Sequence, residues 1–506
     1  MRIKSAVAAV LLAGPALATE PLTAIDWLNK PQPRSELPGT VLLEPPVTGT
    51  AALPQVSVTP LEALRPPAGL VPASATGLPT DLWRGSDAGD ISQLIRTVPV
   101  RRSPAMQALL FTLLLSETRA PEDGGDQILL ARLDRLLALG ATDAAQALAE
   151  QAGPTATPAR FSRWFDATLL TGGEDASCMA LAADPHLSDN YAARIFCAAR
   201  RSDWSTAALM LETAIALELL PQAQIDLLDR FLNPDLYEQA TPLSRPSQPD
   251  PLTFRLFETI GEAMPTAPLP TAFAAADLRD IAGWKAQLEA AERLARGGAL
   301  NPNQFLGLFS ARKPAASGGI WDRVAAVQRL ESALNGTDPE KITETLAEAW
   351  SAMQAAGTET VFADLFADHL ARAPISEPRT AALAWRIRLL SPQYELAALD
   401  APAEDDTSRF LAALAQGRPE ADIAPDATAR AIALGFTSPG PVPARIRQLL
   451  DDGQLGEAIL RAMVLYGRGA NGNLGDLSAA LAAFRAVGLE DTARRAALQL
   501  LLLEPQ

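Results

Sequence analysis

The chain of 506 residues holds only two histidines and two cysteines, so the side chains that dominate acid–base, nucleophilic and metal chemistry can be taken one by one. His369 lies in VFADLFADHLARA (361–373), flanked by Phe362, Leu365, Phe366 and Leu370. That spacing predicts a partly buried imidazole on the apolar face of a helix rather than a general base. His186 follows Pro185 in DPHLSDN (184–190) and reads as an exposed turn residue. No His-Glu-x-x-His, no Gly-x-Ser-x-Gly and no phosphate loop occurs. Glu122-Asp123-Gly124-Gly125-Asp126 offers hard oxygen ligands but lacks the twelve-residue ligand ladder of a calcium loop. Glu404-Asp405-Asp406 reads as a solvated linker. Gly467–Asp476, GRGANGNLGD, reads as a helix connection, with a recognition loop as the alternative. No catalytic residue, no metal site and no cofactor is therefore expected. With 43 basic against 59 acidic residues, a net charge of −16, nucleic acid is an unfavoured partner, because phosphate contacts need a basic face.

The remaining reactive pair is Cys178 and Cys197, whose state depends on compartment. The chain opens MRIKSAVAAVLLAGPALATE: Arg2 and Lys4, then the short apolar run Ala6–Gly14, then Ala16-Leu17-Ala18. This is the three-part pattern of a secretory signal over 1–18, too short in its apolar part for a span of about twenty residues. No later segment is apolar enough for a transmembrane anchor, so the expectation is export to a periplasm. Cys178 falls in a helix predicted from Glu174, and Cys197 in the next, begun near Ser188-Asp189. A hairpin of the two would bring the sulfurs within about a helical turn of each other. A Cys178–Cys197 disulfide is expected there, the alternative being two buried free thiols.

The elements that would position these residues divide the chain unevenly. Residues 19–79 hold twelve prolines, each removing an amide donor and restricting its neighbour. They predict a flexible, Pro-rich disordered arm, interrupted by apolar islands such as Trp27-Leu28 and Val41-Leu42-Leu43. Beyond residue 80 the apolar period is helical. In 338–357, Asp338 suits an N-cap, Pro339 the first turn and Gly357 the position after the helix, while Ile342, Leu346, Trp350 and Met353 form one stripe. In 284–298, Trp284, Leu288, Ala291 and Ala295 share a face. Pro-rich breaks at 233–251, 264–270, 372–378 and 402–443 read as linkers. The expected organisation is all-α: helical-repeat blocks over 80–245 and 246–400 and a C-terminal helical block over 401–506. The eight tryptophans are dispersed, as one anchor for each helix pair would require.

Three helices open alike, as Gly140…Ala145…Ala149, Gly453…Ala458…Ala462 and Gly488…Ala493…Ala497. Glycine permits a tight turn, and the alanine pair lets two helices approach closely. The pattern resembles the second helix of tetratricopeptide repeats, which implies a degenerate TPR-like helical-repeat solenoid. LWRGSD (82–87), ARIFCAARRSDW (193–204), GWKAQLEAAERLARGGAL (283–300) and KPAASGGIWDRVAAVQ (313–328) resemble segments of a group of exported alphaproteobacterial proteins. The layout of signal, arm and helical repeats is similar to that of periplasmic accessory proteins of alphaproteobacterial flagellar motors, of the MotC and MotK kind. The resemblance implies a non-enzymatic protein-binding scaffold whose partners are other periplasmic or envelope proteins, possible motor components among them, with a secretion or envelope-biogenesis adaptor as the alternative. A peptidoglycan-acting enzyme is the third reading. Soluble lytic transglycosylases share a helical superhelix, but their Gly-Leu-Met-Gln type motif is missing from this C-terminus.

Overall fold

The computed structural model describes residues 66–121, 124–336, 338–402 and 405–503. The expected signal segment, Trp27 and the arm up to residue 65 lie outside the described residues, as do Glu122, Asp123 and Glu404. Among the described residues there are twenty-five α-helices and no strand. No helix among them is long and apolar enough to cross a membrane.

Proline abundance and an all-α fold are reconciled by position. Pro104, Pro158, Pro251, Pro302, Pro339 and Pro378 each stand in the first turn of a helix, where the missing N–H has no intrahelical role. The preceding Ser103, Thr157, Asp250, Asn301, Asp338 and Glu377 each accept a first-turn backbone N–H that has no intrahelical acceptor. The expected stripe of Ile342, Leu346, Trp350 and Met353 is buried on helix Pro339–Ala356, which Gly357 ends at φ 65°. Trp284, Leu288, Ala291 and Ala295 are buried on helix Trp284–Arg296.

Two expectations need correction. Residues 402–443 are more than a linker: they hold helices Asp406–Ala415 and Ala427–Gly435, which bury Phe410, Leu411, Leu414 and Ile432. The prolines there fall outside these helices, at 402 before the first, 419 and 425 between the two, and 439, 441 and 443 after the second. Residues 66–79, expected to be flexible, are docked. Ala68 exchanges backbone hydrogen bonds with Thr118, and Val71 pairs with Leu115 and Glu117. Leu78 and Thr76 are buried. Arg132 holds this junction. Its guanidinium is buried and donates to the carbonyls of Leu114, Ala68 and Ser116 and to Thr118 Oγ1.

Consecutive helices pack as hairpins, and the apolar side chains form two cores. One spans 78–276 and resumes at 385–498; the other occupies 274–390. The chain thus leaves the first core, builds the second and returns. In an open array each repeat touches only its neighbours; here the first described helices also touch the last. Gly456 N–H donates to Leu82 O at 3.0 Å. A Cβ on Gly456 would stand 2.5 Å from the Trp83 ring, so only glycine permits this approach. Helix Pro104–Leu115, buried on nearly every side, packs against helix Glu490–Leu502. Ala105 N–H donates to Gln499 Oε1 at 2.7 Å.

One half-buried acid sets a pH dependence. Asp166, on helix Pro158–Thr171, is pushed up to about 7, first by burial and then by Asp250, with Arg163 opposing and Asp134 adding. The folded protein therefore keeps a proton that the unfolded chain releases near its ordinary value of 3.8. Stability falls as pH rises through this window, and the penalty is complete above about 7. Asp166→Asn is expected to stabilise the protein at pH 8 by about 1–2 kcal/mol, after allowance for the solvent reaching the partly exposed carboxyl. The gain should vanish near pH 4, and thermal denaturation at both values checks it.

Candidate functional site

The segment from Glu174 to Phe231 combines a rigid base with an uncovered apolar surface. Its base is the hairpin of helices Glu174–Ala183 and Tyr191–Arg200. Cys178 and Cys197 are both buried, and their sulfurs lie at bonding distance, 1.97 Å. The Cys178 and Cys197 positions face each other because Asn190 caps the second helix and Pro185–Leu187 forms a single 3-10 turn between the two. Closing a loop of this length, with a separation of 19 residues, contributes about 3 kcal/mol by the chain-entropy argument. Cys178→Ser with Cys197→Ser should lower stability to urea by that order, with the helical circular dichroism of the folded state kept.

Ion pairs fasten the same hairpin to its neighbours. Glu174 is wholly buried at the amino end of its helix, where the positive helix end favours a carboxylate. Its Oε1 accepts from Arg255 Nε at 3.1 Å and Nη2 at 2.8 Å, and Arg200 Nη2 stands 3.6 Å away. Arg200 also pairs with Asp175, and Glu258 bridges Arg255 to Arg279. Three helices and the turn that carries Arg279 are thereby tied through one chain of charges.

On this base sits helix Trp204–Ala216, capped by Asp203, whose carboxylate accepts from Thr206 N–H. Its inner line is Ala207, Leu211 and Ala214, all buried. Its outer side is mixed, with exposed Ser205, Glu212 and Thr213 beside Leu209. Trp204, Leu209, Ile215, Leu217 and Leu219 are exposed, five of the twelve large apolar side chains exposed among the described residues, within one short segment. Trp204 is 51% exposed, yet its ring lies 6.3 Å from that of Phe231, which stacks at 5.7 Å on buried Phe196. The indole is thus held from beneath and open above, the condition of an anchor residue. Of the tryptophans expected to anchor one helix pair each, Trp83, Trp164, Trp284, Trp350 and Trp385 are buried, Trp321 is half-buried and Trp204 is exposed.

The backbone marks the same helix. Ser202 and Glu218 are the non-glycine residues with positive φ among the described residues, at 63° and 53°. They bracket the apolar helix on its two sides. Left-handed backbone at a side-chain-bearing residue costs of order 1 kcal/mol and persists where the surroundings over-determine it, most often at functional positions. Asp203 and Glu212 add acidic character beside the apolar surface.

The other residues singled out in the sequence are dispersed. His369 is exposed on helix Glu359–Arg372, at the edge of the face that buries Phe362, Phe366 and Leu370, which corrects its expected partial burial. His186 is exposed in its 3-10 turn. Asp126 pairs with Arg160 at 2.6 Å, and Asp405 caps helix Asp406–Ala415 through Ser408 N–H, so neither serves as a free loop carboxylate. Gly467 and Gly469 are not in a loop: helix Leu455–Ala470 includes both. A Cβ on Gly469 would meet Leu477 Cα at 2.6 Å; the glycines serve close helix packing. Gly140, Gly453 and Gly488 all have positive φ, and Ala145, Ala149, Ala458, Ala462, Ala493 and Ala497 are buried. Among the described residues no group of three His, Cys, Asp or Glu could hold a metal ion.

The exposed apolar helix was not legible from the sequence. Its composition reads as core, and only the packing shows which side is left uncovered. No protein family, curated protein or solved structure matches this chain.

Proposed function

We propose that this chain is a non-enzymatic protein-binding scaffold, exported to the periplasm, which docks an envelope protein on the Trp204–Leu219 segment. The observation that carries the reading is the concentration of exposed apolar side chains on one short segment, Trp204–Leu219, whose Trp204 is supported from beneath. Large apolar side chains left exposed together on one short segment mark interaction sites more than single scattered ones do. The partner fits this surface if it presents apolar anchors flanked by basic residues, complementing Asp203, Glu212 and Glu218 in a chain of net charge −16. The most specific form of the proposal, resting on the layout resemblance, is an accessory component of a flagellar motor.

The test is capture from the organism's own periplasm with the tagged chain, comparing the native protein with Leu209→Asp and Trp204→Asp. A partner captured by the native protein and lost with both variants supports the docking surface. Equal capture by all three removes it. Motor proteins among the captured set, together with a deletion strain that builds filaments and does not swim, support the motor assignment. Normal swimming of that strain overturns it and leaves the envelope-adaptor form. Cleavage of purified cell wall by the protein would overturn the non-enzymatic reading.

A further inference from the structure

Where the first, middle and last parts of the chain meet, they enclose a cavity of about 390 Å³, within the size range of small-molecule sites. Its lining includes Arg101 and Arg102 from the turn before helix Pro104–Leu115, and Arg296 from the end of helix Trp284–Arg296. The fold brings these cations together. Buried Gln107 donates through Nε2 to the backbone carbonyls of both Arg101 and Arg296, at 3.4 and 3.1 Å. One side-chain amide thus clamps the two arginine-bearing segments side by side. The three side chains are exposed, and none of their guanidinium groups has a carboxylate within salt-bridge distance among the described residues. Arg101 also crowds Arg135, which burial and then this neighbour hold below the usual arginine range. Glu359, the carboxylate of the lining, is itself buried at the amino end of helix Glu359–Arg372, so the lining stays net positive.

A second feature points into the same space. Gln499 lines the cavity and is only 3% exposed. Its Oε1 accepts the Ala105 N–H, which only an oxygen can do, so the orientation of the amide is fixed. Its Nε2 then has two N–H donors and no acceptor among the described residues. On the cavity side, a ligand or solvent can supply that acceptor. Helices Pro104–Leu115 and Leu474–Ala486 also begin at the wall, adding the positive ends of their dipoles.

We propose that this cavity binds a small multivalent oxyanion, a molecule carrying two or more phosphate or carboxylate groups. The arginines supply planar pairs of donors that match either group, and the Gln499 amide supplies a fixed neutral donor between them. A ligand here would touch all three parts of the chain and hold its ends together, so binding should raise the melting temperature with ligand concentration.

Calorimetric titration of the full chain at low ionic strength tests this, with inorganic pyrophosphate and citrate as probes and sodium chloride at matched ionic strength as the blank. Saturable 1:1 binding of either probe is expected. Arg101→Ala and Arg296→Ala, both at exposed side chains, should each weaken it roughly tenfold or more, as loss of a charged hydrogen bond implies. Gln499→Glu keeps the acceptor for Ala105 and replaces the donor by an anion; it should abolish binding. Arg386→Ala, exposed and outside the cavity, should leave it unchanged. Pyrophosphate alone binding identifies phosphate as the group read; citrate alone identifies carboxylate. No saturable binding of either probe, or equal affinity in the cavity variants, overturns the proposal.

Discussion

Arg255→Leu is expected to destabilise the fold by about 3–5 kcal/mol, because it strands a buried charge. Glu174 has no exposed surface, and its Oε2 already lacks a hydrogen-bond partner. Without Arg255 its nearest cation is Arg200 at 3.6 Å. The opposite truncation should cost less, since Arg255 would keep Glu258, and Arg200 would keep Asp175. The informative variant is the double one. Glu174→Leu with Arg255→Leu leaves Arg279 on Glu258 and Arg200 on Asp175, so nothing buried is left unpaired. It should recover most of the loss, to within about 1–2 kcal/mol of the native protein. Urea denaturation of the three variants measures this. A double variant as unstable as Arg255→Leu would show that the arginine contributes by packing and not by compensating Glu174.

Arg132→Leu comes next in expected effect. The residue has no acidic partner in the ion-pair network and serves backbone oxygens instead. Burial holds it down to about 10, so it still carries its charge at neutral pH. Ala68 O retains the Thr118 N–H, and Thr118 Oγ1 retains the Trp83 indole N–H. The carbonyls of Leu114 and Ser116 lose the donors that Arg132 gives them. Two such losses predict about 3–4 kcal/mol. The damage should be local: hydrogen exchange should quicken at the amides of Ala68, Val71 and Arg119, which fasten residues 66–80, while amides within helix Leu455–Ala470 stay protected. Arg132→Lys should recover little, because one ammonium group cannot reproduce a fork that serves four acceptors.

These two arginines show where sequence reading reaches its limit. Local features were plain: the Asp338-Pro339 start and Gly357 stop of one helix are set by capping and by backbone freedom, which act over a few residues. The all-α class followed from such signals repeated along the chain. The pairing of Cys178 with Cys197 was legible for the same reason, since the partners lie in adjacent helices. Long-range placement was not. Nothing in the run QILLARLDRLLAL marks Arg132 as buried and Arg135 as a half-buried neighbour. Nothing near Gly456 announces Trp83, far back in the chain, as the ring that requires it. Gly467 and Gly469 looked like loop residues because glycine usually signals a turn, whereas here it lets helices approach. The prolines of 402–443 hid two helices because they separate them rather than interrupt them. The apolar surface of helix Trp204–Ala216 was hidden by its own hydrophobicity, which predicts burial on all sides when read alone.

The most direct measurement is a site-specific crosslink in living cells of the organism of origin. A photoreactive residue replaces Leu209 on the apolar helix, with position 344, normally an exposed glutamate on helix Pro339–Ala356, as the comparison. The scaffold account predicts a discrete adduct with one envelope protein from position 209, none from position 344, and its loss when Trp204→Asp is introduced. No adduct from position 209, or the same adducts from both positions, would contradict it.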